Sequence, residues 1–469
     1  MSSPEAVDVI LEPSSGEVLA RVPRSSPAEV AAAVEAAAAA FPPWRDTPVA
    51  DRVQVLFRLK AALEREHEEL ARVVARENGK LLADARGEVR RGIDVVDLAC
   101  GMPTLLMGET VEGIARGIDS WSVRVPLGVV GGICPFNFPA MIPLWMFPIA
   151  IAAGNAFVLK PSERTPLTAM RLAELFTEAG LPRDVLKLVH GARETADALI
   201  DHPLVRAISF VGSEGVARHV YARAAAAGKR VQALAGAKNH LVVMPDADLE
   251  AATAAILGSA FGAAGQRCLA GSVAVPVEGA AEPIVAALAR EAAAMAPGDP
   301  LITDSAMGPV IREEARTRIA DWIGKGLAEG ARLVVDGRSP AGAPPPGGFF
   351  LGPTIFDGVR PEMAIAREEI FGPVLSVVRA GSLEEAIGIA NRSRFGNAAS
   401  IFTRSGAAAR QFRTRIEAGM VGINVGVAAP MAFFPFAGWK GSFFGDLHAT
   451  GKDAVRFYTE TRVVIERWE

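Results

Sequence analysis

From about Trp121 the chain repeats one pattern: a short apolar run, a punctuating Gly, Pro or Ser, then a stretch of helical texture. "GVVGGICP", "AFVLKP", "VLKLVHG" and "RAISFVGS" are such runs. Runs this short and apolar read as strands covered on both faces, and strands alternating with helices build parallel sheets through βαβ crossovers. After Gly236 a second region of this kind starts at "KNHLVVMPDADLEAATAAILGSAF" and runs to about residue 430. The pattern therefore predicts an α/β fold with doubly wound parallel sheets. The 469 residues are enough for two or three domains.

The flanking segments read differently. "SPAEVAAAVEAAAAAF" predicts a helix capped by Ser26, with Pro27 at its first position. "DRVQVLFRLKAALEREHEELARVVAREN" predicts one long amphipathic helix stopped at Asn78-Gly79. "PAMIPLWMFPIAIAAGNAFVLKP" approaches membrane-spanning length, but Pro143, Pro148 and Gly154 interrupt it. It reads as a buried helix entering a buried strand. The C-terminal "AVRFYTETRVVIERW" alternates like an exposed strand that pairs with another element, in a neighbouring subunit, so a homo-oligomer (dimer or tetramer) is expected. "RSPAGAPPPGG", residues 338–348, reads as a loop.

Charge and cysteine usage narrow the function. The net charge is −4, with no polybasic run or acidic tail, so neither nucleic acid nor an acidic membrane is an expected partner. The three cysteines, Cys100, Cys134 and Cys268, are too few and too odd in number for a disulfide framework. A reducing compartment follows, and "MSSPEAVDVILEP" does not read as a signal peptide, so a cytoplasmic location is expected. The six histidines make no zinc-type spacing with cysteine, and no metal is expected.

Ligands of open α/β sheets bind beyond the C-terminal strand ends. "AFVLKPSERTP" ends a strand at Lys160, and a helix is expected to start with Thr165 as cap and Pro166 inside it. Glu163 in that turn can accept from both ribose hydroxyls and would repel a 2′-phosphate, which favours NAD over NADP. "AISFVGSEGVAR" turns at Gly212-Ser213, where small residues let backbone N–H groups reach a phosphate. "GICPFNFP" ends a third strand. No GxGxxG follows any of them, so a nucleotide site here must be a variant one. Each turn alone fits an empty strand-to-helix connection equally well.

"AAGQRCLAGS", residues 263–272, sets Cys268 among small residues beside a guanidinium. Nearby positive charge favours the thiolate, the reactive form of a nucleophilic cysteine. The plainer reading is a buried cysteine near a surface arginine. Cys100 and Cys134 sit in apolar runs and read as packing residues.

"PFNFP", "FVLKPSERTP", "SFVGS", "GQRC" and "EEIFGPVL", in this order, resemble the aldehyde dehydrogenase superfamily over nearly the whole chain, though without a first N-terminal strand. "CPFNFPAMIPLWMFPIAIAAGN", "GAKNHLVVMPDAD" and "FAGWKGSFFGDLHATGKDAVRFYTE" resemble its methylmalonate-semialdehyde branch. The resemblance implies an NAD-binding domain over 1–103 and 127–236, a catalytic domain over 237–431, and a small β oligomerisation element over 104–126 and 432–469. It implies Cys268 as nucleophile, with the Asn137 amide and the Cys268 N–H holding the oxyanion. Lys160, Glu163, Arg164, Gly212 and Ser213 would hold the adenosine and phosphate end of NAD. Phe136 would line the groove, and Glu369 and Phe371 would position the nicotinamide ribose.

Where hydrolytic members resemble "ELGGK", this chain reads "LAGAK", with Leu234 in the place of the water-activating glutamate. Water is a poor nucleophile without a base, whereas a thiol is partly ionised near neutrality. Together with the CoA-dependent branch, this implies acyl transfer to coenzyme A as co-substrate, giving propionyl-CoA or acetyl-CoA with loss of carbon dioxide. The semialdehyde carries a carboxylate, and Arg91 and Arg267 resemble that branch's carboxylate-binding pair. Arg90 should point away from it. The alternatives are a CoA-independent oxidase of another carboxylated aldehyde, such as succinate semialdehyde, and a catalytically silent nucleotide-binding protein on the same fold.

Overall fold

The computed structural model describes residues 6–302, 304–342 and 344–468. Its first sheet contains the parallel strands Val129–Ile133, Ala156–Lys160, Leu186–Leu188, Val205–Val211 and Arg230–Leu234. Counted in chain order, they lie side by side as third, second, first, fourth, fifth. The order reverses between Val129–Ile133 and Val205–Val211, and a crevice opens at the strand ends there. Val129–Ile133 and Ala156–Lys160 are buried along their whole length, as helix-covered strands must be. The strand Phe443–Gly445 closes the far edge, antiparallel to Arg230–Leu234.

A second sheet of seven strands contains Gly271–Pro276 at its centre, flanked by Asn239–Val243 and Val374–Val377. All its pairings are parallel except that of the edge strand Arg332–Val335. A third, antiparallel sheet has the order Thr459–Arg467, Ile118–Pro126, Thr110–Ala115. This is the α/β fold with doubly wound parallel sheets that the sequence pattern predicts, with a small antiparallel sheet beside them. The helix Met141–Ala152 is buried at every position and leads into the strand Ala156–Lys160. No described helix is long and apolar enough to cross a membrane.

Local sequence chemistry accounts for several boundaries. Ser26 caps the helix Pro27–Asp46 through a reciprocal box with Glu29. The expected single helix ending at Asn78 is two, Val49–Arg65 and His67–Asn78. Glu66 leaves the helical path between them and its carboxylate takes Arg171 at 2.7 Å. Both halves still feed one core, through Leu56, Leu59, Leu70 and Val74. An N-terminal hairpin, Val7–Leu11 with Val18–Pro23, occupies the region where no first strand was expected. The turn between them brings the Gly16 N–H onto the Glu12 carbonyl, with Gly16 at φ 74°.

Two further expectations are corrected. Thr165 does not cap the helix that follows it. Its hydroxyl donates to the Phe136 carbonyl, Pro166 occupies the cap position, and the helix is Leu167–Glu178. Its first free N–H groups, Leu167 and Thr168, go to the Glu77 carboxylate at 2.8 and 2.9 Å. The C-terminal strand starts only at Thr459, because "AVRF" belongs to the helix Gly451–Phe457. That strand pairs within the chain, from Thr459↔Pro126 to Arg467↔Ile118, and keeps its other edge open.

Candidate active site

At the crevice of the first sheet lies a cavity of about 920 Å³. Phe136, Asn137, Lys160, Glu163, Arg164, Gly212, Ser213, Cys268, Glu369 and Phe371 all line it. Lys160 is buried at the end of its strand, donates to the Gly191 carbonyl at 2.6 Å, and stands 3.6 Å from Glu163. Burial holds its ammonium below the usual lysine range. The Arg164 guanidinium sits 5.5 Å above the Phe136 ring. Ser213 is the cap residue of the helix Glu214–Ala226, yet its hydroxyl makes no capping bond. Gly215 and Val216 in the first turn of that helix line the cavity with Ser213. Gly212 is required for space, since a Cβ there would meet the Phe210 ring at 2.4 Å.

The segment from Glu369 to Phe371 crosses the same cavity. Glu369 accepts the Ala237 N–H at 2.8 Å, and burial pushes its carboxyl up to about 7. Phe371 is held in the left-handed region at φ 56° and meets Phe136 edge to face, with centroids 5.9 Å apart. A non-glycine residue at such a φ marks a locally strained backbone.

Cys268 belongs to two cavities at once. The second has a volume of about 430 Å³ and is walled by Phe138, Trp145, Phe436, Arg91 and Arg267. The loop before Cys268 runs left-handed through Ala263, Ala264 and Gly265, at φ 48°, 51° and 69°. Gly265 is needed there, because a Cβ would meet the Gly372 carbonyl at 2.3 Å. The Cys268 carbonyl is clamped by Asn239 at 2.9 Å and Asn397 at 2.8 Å. Asn137 approaches from the other side, where its side-chain amide donates to the Gln266 carbonyl at 3.0 Å.

The two arginines share the second cavity. Arg91 donates through Nη2 to the Pro430 carbonyl at 2.6 Å, and Arg267 through Nη2 to that of Gly258. Arg267 Nη2 also reaches the Ser259 carbonyl at 3.5 Å, its Nε is buried without a hydrogen-bond partner, and both arginines line the cavity. Asp84 lines the same cavity and its charge acts on Arg267. Arg90 is exposed and paired with Glu64 at 2.6 and 2.5 Å, as its helical position requires, though it reaches the rim of the cavity. Arg267 does not leave the resting thiol acidic. Burial pushes Cys268 up to about 12, Glu369 adds to that, and Arg267 only partly opposes it. Cys100 and Cys134 are buried and burial raises both thiols, in keeping with packing roles.

Leu234 ends its strand buried in the core, paired with Phe443. No carboxylate stands at that position. Sequence reasoning passed over Asn239 and Asn397, and also Lys80 and Glu88, a buried pair 2.5 Å apart beneath the Asn137 segment. Their only sequence signal is polarity inside apolar periodicity.

The family model described as the aldehyde dehydrogenase family matches residues 2–464. Malonate-semialdehyde dehydrogenase 2 of Geobacillus thermodenitrificans is 57% identical, over 98% of this chain and 95% of its own length. The malonate-semialdehyde dehydrogenase of Halalkalibacterium halodurans is 54% identical over 98% and 95%. The crystal structure of a methylmalonate-semialdehyde dehydrogenase from Oceanimonas doudoroffii superposes with a TM-score of 0.97 at 46% identity, covering 100% of this chain and 96% of that one. A structure from Sinorhizobium meliloti, assigned to the same activity and complexed with NAD, gives 0.97 at 47% identity, over 99% and 95%. Fold, cavities and sequence agree: the chain belongs to the aldehyde dehydrogenase family.

Proposed function

We propose that this chain is an NAD- and CoA-dependent semialdehyde dehydrogenase that converts malonate semialdehyde, or its α-methyl homologue, to acetyl-CoA or propionyl-CoA. The observation that carries the reading is the place of Cys268, between a dinucleotide-sized cavity and a smaller one holding two arginines. The names of the relatives at 57% and 54% identity support the substrate class. The NAD complex of the Sinorhizobium meliloti relative supports the cofactor.

The residues present fit NAD. The larger cavity is of ligand-binding size, and its lining supports this reading: Glu163 can accept from ribose hydroxyls, and the uncapped start of the helix Glu214–Ala226 suits a phosphate. Lys160 and Arg164 bring positive charge to that lining, and Glu369 and Phe371 complete it. When bound, NAD accepts the hydride of the oxidation.

Arg91 and Arg267 hold the substrate carboxylate, which leaves the aldehyde within reach of Cys268. Once the Cys268 thiol has released its proton to water in the cavity, Sγ adds to the carbonyl carbon, the carbonyl π pair moves onto oxygen, and that charge faces the Asn137 amide and the Cys268 N–H. Loss of hydride from that carbon leaves a thioester on Sγ. The substrate carboxylate is now β to a thioester carbonyl. Its C–C bond breaks, carbon dioxide departs, and the electron pair left on carbon takes a proton. Cys268 is the leaving group when a coenzyme A thiol takes the acyl chain. Leu234 offers water no base, so hydrolysis does not compete.

The open edge of Thr459–Arg467 fits a homo-oligomer, and three unpaired cysteines fit a reducing, cytoplasmic setting. Incubating the purified enzyme with malonate semialdehyde, NAD and CoA should yield acetyl-CoA, carbon dioxide and NADH in equal amounts. Free malonate as the carbon product would overturn the reading.

A further inference from the structure

Beneath the Asn137 segment lies an ion pair that the reaction above does not use. Lys80 follows the helix His67–Asn78, and Glu88 lies in the helix Leu82–Cys100 that also carries Arg91. Their side chains are 1% and 0% exposed and 2.5 Å apart. Burying two charges costs several kcal/mol per ion before their attraction is counted, and an apolar pair of similar volume is often as stable. A packing role alone therefore does not call for this pair.

The remaining contacts of the pair converge on one segment. Lys80 Nζ donates to the Asn137 carbonyl at 2.7 Å and sits 4.0 Å from the Phe138 ring centroid. Glu88 Oε1 accepts the N–H groups of Ala140 and Met141 at 2.8 and 3.1 Å. Residues 137–140 lie between the strand Val129–Ile133 and the helix Met141–Ala152, where no ladder fixes the backbone. On one side of the segment Asn137 lines the dinucleotide cavity, and on the other Phe138 and Met141 line the substrate cavity.

We infer that Lys80 and Glu88 are positioning residues, which fix the 137–141 backbone so that the Asn137 amide faces the oxygen of the substrate carbonyl held on Cys268. The inference rests on Asn137 being an oxyanion donor, as proposed above. An oxyanion donor works only when it is preorganised within about 3 Å of the developing charge. Lys80 reaches Asn137 through its own carbonyl, so a displaced ammonium moves the amide without touching substrate. Glu88 fixes the other end of the segment from the opposite face of the pair.

Two reactions of Cys268 separate positioning from general damage. Acylation by an activated ester such as p-nitrophenyl acetate generates an oxyanion and needs no NAD. Alkylation by iodoacetamide generates none. Lys80→Met and Glu88→Gln should each slow the acylation about 10- to 100-fold and leave alkylation within about threefold, because loss of one oxyanion donor costs about 10²–10³ in rate. The effect should fall on kcat rather than KM. Lys80→Arg should recover part of it, since a guanidinium keeps the charge and a donor. In an Asn137→Ala background, Lys80→Met should add less than about threefold, because both changes remove one function.

Each outcome decides something. If Asn137→Ala leaves acylation unchanged, the oxyanion assignment fails. If Asn137→Ala slows acylation but Lys80→Met does not, the positioning inference alone fails. It fails too if Lys80→Met slows acylation and alkylation equally, or if its effect multiplies fully with that of Asn137→Ala. Glu88→Gln, with near-identical volume, serves if Lys80→Met does not fold.

Discussion

Arg91 and Arg267 face one cavity but differ in what else they do. Arg267 precedes Cys268 and lowers its thiol somewhat against burial, so its loss would blur binding with reactivity. Arg91 donates to the Pro430 carbonyl, does not adjoin Cys268 in the chain, and gives the cleaner test. Arg91→Leu should lower kcat/KM for the semialdehyde by about 30- to several-thousand-fold, the cost of about 2–5 kcal/mol for an anion left without its partner. Propanal has no carboxylate, and its kcat/KM should stay within about tenfold. An equal fall for both substrates would assign Arg91 to the fold. This residue was legible in the sequence through resemblance alone. Lys80 and Glu88 were not, because what marks them is contact with residues more than fifty positions away, and spacing does not encode that.

At the scale of elements, the helix Leu167–Glu178 is capped by a side chain from another helix, not by its own sequence neighbour. Thr165 is a good local cap, but the Phe136 carbonyl beside the cavity takes its hydroxyl instead. Burial pushes Glu77 up to about 7 in spite of its hydrogen bonds. The native state thus keeps this proton where the unfolded chain releases it, so the Glu77 contribution to stability falls as pH rises from about 4.5 to about 7. Glu77→Gln removes one acceptor and should destabilise the fold by about 1–3 kcal/mol. The deficit in Tm should be larger at pH 5 than at pH 8, and a deficit that widens with pH would contradict this cause. The strand Thr459–Arg467 is the other informative element. Val463 and Ile465 are 63% and 71% exposed next to an unpaired edge. In the proposed oligomer, Ile465→Lys should shift the sedimentation profile toward smaller species, whereas an unchanged profile would place the interface elsewhere. The alternation of this strand was plain in the sequence, but its partner within the chain was not, because Ile118 and Arg467 meet only in the folded state.

Across the whole molecule, the alternation of buried strands and helices marked the two parallel sheets, since full burial on both faces leaves a continuous apolar run. The break at Glu66 and the N-terminal hairpin were hidden because tertiary packing and a tight turn decide them. The turns singled out in the sequence at Lys160–Arg164 and Gly212-Ser213 line one cavity, although no GxGxxG follows either strand. In the proposed reaction the telling residue is Leu234, a buried apolar side chain that offers water no base. The thioester on Cys268 should therefore persist until a thiol arrives. Stopped-flow absorbance of NADH, with malonate semialdehyde and NAD but no CoA, tests this most directly. The account predicts a burst equal to the concentration of active sites, then slow turnover, with full steady-state turnover restored on adding CoA. Equal steady rates with and without CoA would contradict it.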